Sequence, residues 1–345
     1  MLRRLCVDRR GWLDAADFED AVAACNLLPG PASTQLSIYC AWRLRGPAGA
    51  LVGGAAFIVP GLVLILALSA VFLAGSPPRV VLGAGAGAGA AVAAVAVHAA
   101  WGLVLPSWRR SPARWRWLAY GAGGAAAAAT VGPWLVLVLV GCGALELAIR
   151  GAHGAAAWLA TAAPAVSGGL LALCWVAFKV GALSYGGGFV IVPLIQSDAV
   201  SRYHWLSDAQ FLNAVALGQI TPGPVVHTVA AVGYAASGVG GGLLAAAVAF
   251  TPSFAFVLAG GRSFDRLRTD PRARAFLDGA GPAAIGAILG SAIPLTRALS
   301  EAWQWGVLAG AAVLLLALRR GVVATLLAAS AVGAIVVLAG GPVPR

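Results

Sequence analysis

Residues 205–224 read "WLSDAQFLNAVALGQITPGP", and residues 12–31 read "WLDAADFEDAVAACNLLPGP". Sliding the chain against itself by 193 positions lays one over the other with ten identities in twenty. The matches are Trp12 on Trp205, Leu13 on Leu206, Ala16 on Ala209, Phe18 on Phe211, Ala21 on Ala214, Val22 on Val215, Ala23 on Ala216 and the whole Pro-Gly-Pro. After a one-residue shift the echo continues, with Gly46 over Gly238, Gly49 over Gly241 and Pro60 over Pro252. The chain therefore carries two copies of one unit, and in each copy an apolar stretch runs into Pro-Gly-Pro. Proline withdraws an amide donor and disfavours helix at the residue before it, while glycine permits dihedrals that other residues avoid. Each motif marks a helix break.

The surrounding composition says where that break sits. Of 345 residues 60% are hydrophobic, against 23 basic and 12 acidic side chains. Runs such as Ala48–Leu73, Val80–Leu105, Leu135–Ile149, Leu159–Phe178, Leu243–Ala259 and Trp303–Leu318 reach or approach the length that crosses a ~30 Å hydrocarbon slab at 1.5 Å per residue. The expected fold class is an all-α polytopic membrane protein with roughly nine to twelve membrane segments. The net charge of +11 does not point to nucleic acid, because the arginines collect at the ends of apolar runs. Clusters at Arg3–Arg10, Arg43–Arg45, Arg109–Arg116, Arg262–Arg274 and Arg319–Arg320 mark candidate cytoplasmic faces. The lipid bilayer is the environment expected, in a multi-pass arrangement. No cleavable signal peptide precedes the first copy, since "MLRRLCVDRRGWLDAADFED" lacks an apolar core.

Several chemistries are excluded or weakened. Cys6, Cys25, Cys40, Cys142 and Cys174 have no CxxC spacing, so neither a disulfide framework nor a zinc site is indicated. His98, His153, His204 and His227 lack ligand spacing, and no GxxxxGK stretch supports a P-loop ATPase. No metal and no cofactor is expected. Acid–base catalysis has little to work with, Glu146 being the main acidic candidate in an apolar segment. A membrane-embedded enzyme is thus the weaker alternative.

Two copies of one membrane unit signal a secondary transporter with its site at the repeat interface. The charges suggest inverted topology. Arg3, Arg4, Arg9, Arg10, Arg43 and Arg45 flank the first Pro-Gly-Pro, whereas Gln196–Gly261 in the second copy offers only Arg202. Ala15–Leu28 and Ala32–Trp42 span about 21 Å and 16 Å as helices, too short to cross. Each Pro-Gly-Pro is therefore expected at the tip of a broken or re-entrant helical hairpin, tolerated at membrane depth where protein or a watery cavity satisfies the backbone. Amides at the start of Ala32–Trp42 and Val225–Ser237 carry partial positive charge and favour an anion. The competing expectation is a plain proline kink between spans.

Candidate binding residues gather at three places. Around the first motif are Asn26, Pro29, Gly30, Pro31 and Gln35; around the second are Gln219, Thr221, Pro222, Gly223, Pro224 and His227. Asn26 and Gln219 occupy matching positions, as do Thr34 and His227, and Gln35 and Thr228. Carboxamides and hydroxyls donate to a dianion without titrating, whereas a histidine can bind protons near neutral pH. The third place is "FKVGALSYGGGFVIVP", residues 178–193, with the only lysine, Lys179, then Ser184, Tyr185, Gly186, Gly187 and Gly188. An ammonium between apolar runs costs roughly 2.5–3.5 kcal/mol unless compensated, and an anion would compensate it. Snorkelling to the headgroups is the alternative. The low-complexity "GAGAGAGAA" at 83–91 suits close helix packing. "GPW" at 132–134 is a break or a turn.

"FKVGALSYGGGFVIVPLI", "WLSDAQFLNAVALGQITPGP", "GYAASGVGGG" and "TPSF", with "LLPGP" and the Gln35–Tyr39 pair earlier, together resemble the chromate ion transporter family. The resemblance runs from about Met1 to the end and is strongest over Phe178–Phe256. It implies export of chromate across the bacterial inner membrane, with sulfate as the dianion of like shape and charge. It implies two repeat domains, residues 1–150 and 151–345, and admits a homodimer. In the second copy a glycine-rich segment, Cys174–Pro193, precedes the part aligned with Met1, and family members usually carry one in both copies. The first copy is accordingly expected to lack its first membrane segment, which leaves a non-transporting fragment or structural partner as a second alternative. "SYGGG" has tyrosine where the family more often has phenylalanine, which adds a hydroxyl.

Overall fold

The structure, a computed structural model, describes residues 2–25, 30–73, 77–130, 135–151, 168–184, 191–260 and 270–344. Among them there are helices and turns and no strand. Elements run α1 (Ala15–Cys25), α2 (Ala32–Phe72), α3 (Arg79–Arg110), α4 (Arg114–Thr130), α5 (Leu135–Ile149), α6 (Gly169–Leu183), α7 (Ile191–Gln196), α8 (Asp208–Ile220), α9 (Thr228–Gly260), α10 (Pro271–Arg297), α11 (Ala302–Ala312) and α12 (Val322–Leu338). A multi-pass membrane protein follows from four helices long and apolar enough to cross, α2, α3, Val225–Gly260 and α10, joined by shorter apolar helices. The apolar runs quoted from the sequence do not include α4, diluted by Gly and Ala, or α10, whose mean hydropathy of 1.4 is the lowest of the four. "GPW" lies outside the described residues, as does the start of the run Leu159–Phe178.

A straight 41-residue helix would be about 60 Å long, twice the slab. α2 is not straight. At Arg45 (φ −141°, ψ 21°) and Gly46 (φ 60°, ψ −151°) the helical dihedrals fail. Beyond them Gly53 lies against Ala41 and near the Ser37 carbonyl, sixteen residues back and ~24 Å away in a continuous helix. The chain has doubled back. α9 does the same at Ser237 (φ −157°, ψ 33°) and Gly238 (φ 62°, ψ −156°), after which Gly241 packs on Gly233 and Gly242 on the Ala230 carbonyl. Residues 32–44 and 228–236 are thus short arms, and 47–72 and 239–260 are long rods of about 39 Å and 33 Å.

The two copies match elsewhere in detail. A π-helical turn at Arg4–Arg9 corresponds to one at Ser197–Arg202. Each is closed the same way: Trp12 and Leu13 amides donate to the Cys6 carbonyl, and Trp205 and Leu206 amides to that of Ala199. Ser207 caps α8 by accepting from the Gln210 amide at 3.3 Å, and the Gln210 side chain accepts from the Ser207 amide at 2.9 Å.

Small residues let the helices meet. α3 packs on α11 and α12, α10 packs on α4 and α5, and α3 and α10 pack on each other. The "GAGAGAGAA" stretch is buried apart from Ala84: Gly83 and Gly87 face Gly333 and Ala329 of α12, and Gly85 faces Asn213 of α8. Gly121 and Gly124 of α4 meet Gly286 and Ala283 of α10 the same way. Backbones approach closely at such contacts, which supplies the van der Waals attraction that replaces the hydrophobic effect within lipid. The two rods also touch. Gly54 lies on Phe254 and Leu66 on Gly242, a pairing in which residue numbers rise along one rod as they fall along the other, so the rods run antiparallel.

Candidate functional site

Both Pro-Gly-Pro glycines adopt left-handed φ, +121° at Gly30 and +127° at Gly223, as only glycine does at low cost. At the second motif α8 stops at Ile220, Thr221 is extended, and helix resumes after Pro224 with the 3₁₀ turn Val225–His227. Gly218 contacts Thr228, so the chain reverses around Pro222-Gly223 rather than kinking through it. At the first motif the described part is Gly30, Pro31 and α2, with Thr34 and Gln35 amides donating to the Pro31 carbonyl at 2.9 and 3.0 Å. His227, the repeat partner of Thr34, donates its amide to the Pro224 carbonyl at 2.9 Å.

Each tip is covered by the other copy. Pro60 and Pro252 align in the sequence, and the residues after them, Gly61 and Ser253, touch opposite tips. A Cβ on Gly61 would meet the Pro222 carbonyl and come within 2.6 Å of His227 Cε1. One on Gly30 would come within 2.5 Å of Gln35 Nε2 and 3.3 Å of Ser253 Oγ. Gly61 and Ser253 both lie in the middle part of their rods. The glycine-rich stretch joins here too: the Gly30 amide donates to the Ser184 carbonyl at 3.1 Å, which seats the first tip on the C-terminal end of α6.

Polar side chains converge without neutralising one another. Thr34, Ser184, His227 and Ser253 are fully buried. Thr34 Oγ1, Ser184 Oγ, Ser253 Oγ, Gln219 Nε2 and both His227 ring nitrogens have no hydrogen-bond partner among the described residues. His227 stands edge-on to Phe250, 5.3 Å between ring centroids, and nears the Ile58 carbonyl without hydrogen-bond geometry. A buried polar group left unpaired costs ~1–3 kcal/mol, so five such side chains around two helix breaks make this the candidate site. Thr221 is different, since its hydroxyl donates back to the Leu217 carbonyl at 3.0 Å. Asn26, Pro29, Tyr185, Gly186, Gly187 and Gly188 lie outside the described residues.

Lys179 has a partner the sequence did not single out. Its ammonium pairs with Asp198 Oδ2, with the side chains 10% and 1% exposed, and lies 5.8 Å from the centre of the Trp175 ring. The lysine neither snorkels nor waits for a solute anion as its only compensation. Glu146 is held by several partners at once: buried, it accepts from Tyr120 at 3.0 Å and pairs with Arg116 at 3.4 Å and Arg150 at 2.8 Å, while Arg150 also bridges to Asp278 of α10. Among the described residues no group of three or more His, Cys, Asp or Glu side chains is placed to hold a metal ion.

A family model described as chromate transporter matches residues 1–167 and again residues 171–337. A chromate transport protein of Cupriavidus metallidurans is 32% identical over 321 residues, covering 86% of this chain and 77% of the relative. One from Pseudomonas aeruginosa is 29% identical over 331 residues, covering 87% and 76%. A probable chromate transport protein of Synechococcus elongatus is 28% identical over 317 residues, covering 86% and 78%. No solved structure matches the chain.

Proposed function

The chain belongs to the chromate transporter family, and from that premise we propose that it is a secondary transporter exporting chromate across the bacterial inner membrane. The solute rests between the two Pro-Gly-Pro tips. Sulfate-like oxyanions share the tetrahedral shape and double charge and compete for the site. The two copies, residues 1–150 and 151–345, face opposite ways, and each tip re-enters the membrane without crossing it.

One observation carries this reading: each tip is covered, partway along a membrane-length rod, by a small residue of the other copy, amid buried donors that lack partners. Thr34, Gln219, His227, Ser184 and Ser253 offer N–H or O–H donors, and none of the side chains named at either tip is a carboxylate. Such a set suits an anion. Amides in the first turn after Pro31 and after Pro224 add partial positive charge at the same depth. The antiparallel pairing of rods 47–72 and 239–260, which align in the repeat, supports an inverted relation between the copies. Lys179, paired with Asp198, lies one to two turns from Ser184 on α6.

Relatives are named as transport proteins, and the buried charges are held in ion pairs rather than set out for acid–base work. The test is accumulation of labelled chromate in cells expressing the chain, with insertion verified by membrane fractionation. Lower accumulation than in control cells, relieved by excess sulfate or molybdate, is the expected result. Unchanged accumulation with the protein correctly inserted would sink the assignment.

A further inference from the structure

The Lys179–Asp198 pair is built unlike a structural salt bridge. A buried ion pair holds together when the remaining lone pairs and protons are also satisfied, because desolvation otherwise cancels the attraction. Here Asp198 Oδ1 is buried without a partner among the described residues, as are the neighbouring Ser197 Oγ and Trp175 Nε1 beside the lysine. The carboxylate is committed through one oxygen to one ammonium, on a lysine whose side chain is 10% exposed. The turn Ser197–Arg202 that carries Asp198 also holds Arg202, which is exposed, whereas α6 and α7 hold no charged side chain besides Lys179 and α9 has none. The pair is net neutral in apolar surroundings and five residues from Ser184, which carries the first tip.

Charge bookkeeping then sets a direction. A dianion arriving at Lys179 meets an ammonium already cancelled by Asp198, so the ionised carboxylate opposes its binding. We propose that Asp198 is an internal surrogate for the solute: it occupies Lys179 when the site is empty, is displaced when the dianion binds, and returns to expel it. This rests on the reading above that Lys179 belongs to the solute site. The Ser197 hydroxyl, buried and unpaired, is a donor at hand for the displaced carboxylate. Asp198 is a positioning residue under this scheme, setting how tightly the anion is held and how quickly it leaves.

The experiment uses full-length protein in lipid nanodiscs, with chromate as the probe. Asp198→Asn removes the opposing charge, and the expected result is chromate binding about tenfold tighter, the change that ~1.4 kcal/mol of lost repulsion produces, together with slower turnover in proteoliposomes. A folded Asp198→Asn protein that binds chromate with unchanged or weaker affinity would overturn the proposal. Lys179→Met is expected to lose binding, and Asp198→Asn is expected to have no further effect in that background. Wild-type binding by Lys179→Met would remove Lys179 from the site and take this inference with it. Loss of binding by Lys179→Met beside an unaltered Asp198→Asn would remove only the surrogate role. Where Asp198→Asn fails to fold, a carbodiimide and mass spectrometry on the unmutated protein give the answer. Chromate should raise modification at Asp198 as the carboxylate is freed, and no rise would count against displacement.

Discussion

Gly61 shows how a single side chain, or its lack, places the site. Nothing in the local sequence "VPGLV" marks it, yet any Cβ there meets the Pro222 carbonyl and the His227 ring. Backbone cannot yield as a flexible side chain does, so Gly61→Ala should push the second tip out of position. A loss of about 1–3 kcal/mol in stability is expected, with chromate transport falling more steeply than expression. Gly102→Ala, where a Cβ meets nothing within 4 Å, serves as the control and should transport normally. Equal activity of the two variants in the accumulation assay would remove Gly61 from the site. At this scale the sequence singled out Gly30, Pro31, Gln35, Gln219, Pro222–Pro224 and His227 as candidates, because a helix break leaves a local signature in proline and glycine. Gly61, Ser253 and Asp198 were not legible, since each matters through a neighbour well over a dozen residues away. The aligned pair Pro60 and Pro252, falling one residue short of both contacts, and the motif "TPSF" that holds Ser253 were the hints.

The helices α2 and α9 turn on two glycines whose match across the copies was visible, while their consequence was not. Hydropathy reports that a segment is apolar and long; it is blind to a reversal that costs two residues. Gly46 and Gly238 combine φ near +60° with ψ of −151° and −156°, a region that is essentially glycine-only and lies outside the left-handed well that asparagine tolerates. Both glycines have open space around the Cβ position, so substitution is opposed by dihedral strain alone. Gly238→Asn should therefore destabilise as much as Gly238→Ala, by about 1–3 kcal/mol. Thermal unfolding of the two variants in detergent checks this, and rescue by asparagine would show an ordinary left-handed turn instead.

Across the whole molecule the two copies are interlocked, with α3 held by α11 and α12, α10 held by α4 and α5, and each tip under the opposite rod. In the transporter proposed above, an interface of this kind lets one half rock against the other about the site, as alternating access requires. If the copies are inverted, the reversals at Gly46 and Gly238 lie at opposite membrane surfaces. In a cysteine-free background, Pro47→Cys should react with a membrane-impermeant maleimide from one side only and Val239→Cys, 55% exposed, from the other. Labelling of both from the same side would refute the inverted arrangement.

By itself the sequence determined that this chain is an all-helical membrane protein made of two related units, each broken at Pro-Gly-Pro. It could do so because apolar length, helix-breaking residues and internal repetition are properties of neighbours along the chain. Only the tertiary structure decided that Gly61 and Ser253 cover each other's tips, that Ser184 seats the first one, and that Lys179 is held by Asp198. Those pairings come from close backbone approach at small residues and from the need to neutralise a buried charge, and both forces act between segments whose separation along the chain carries no record of their meeting.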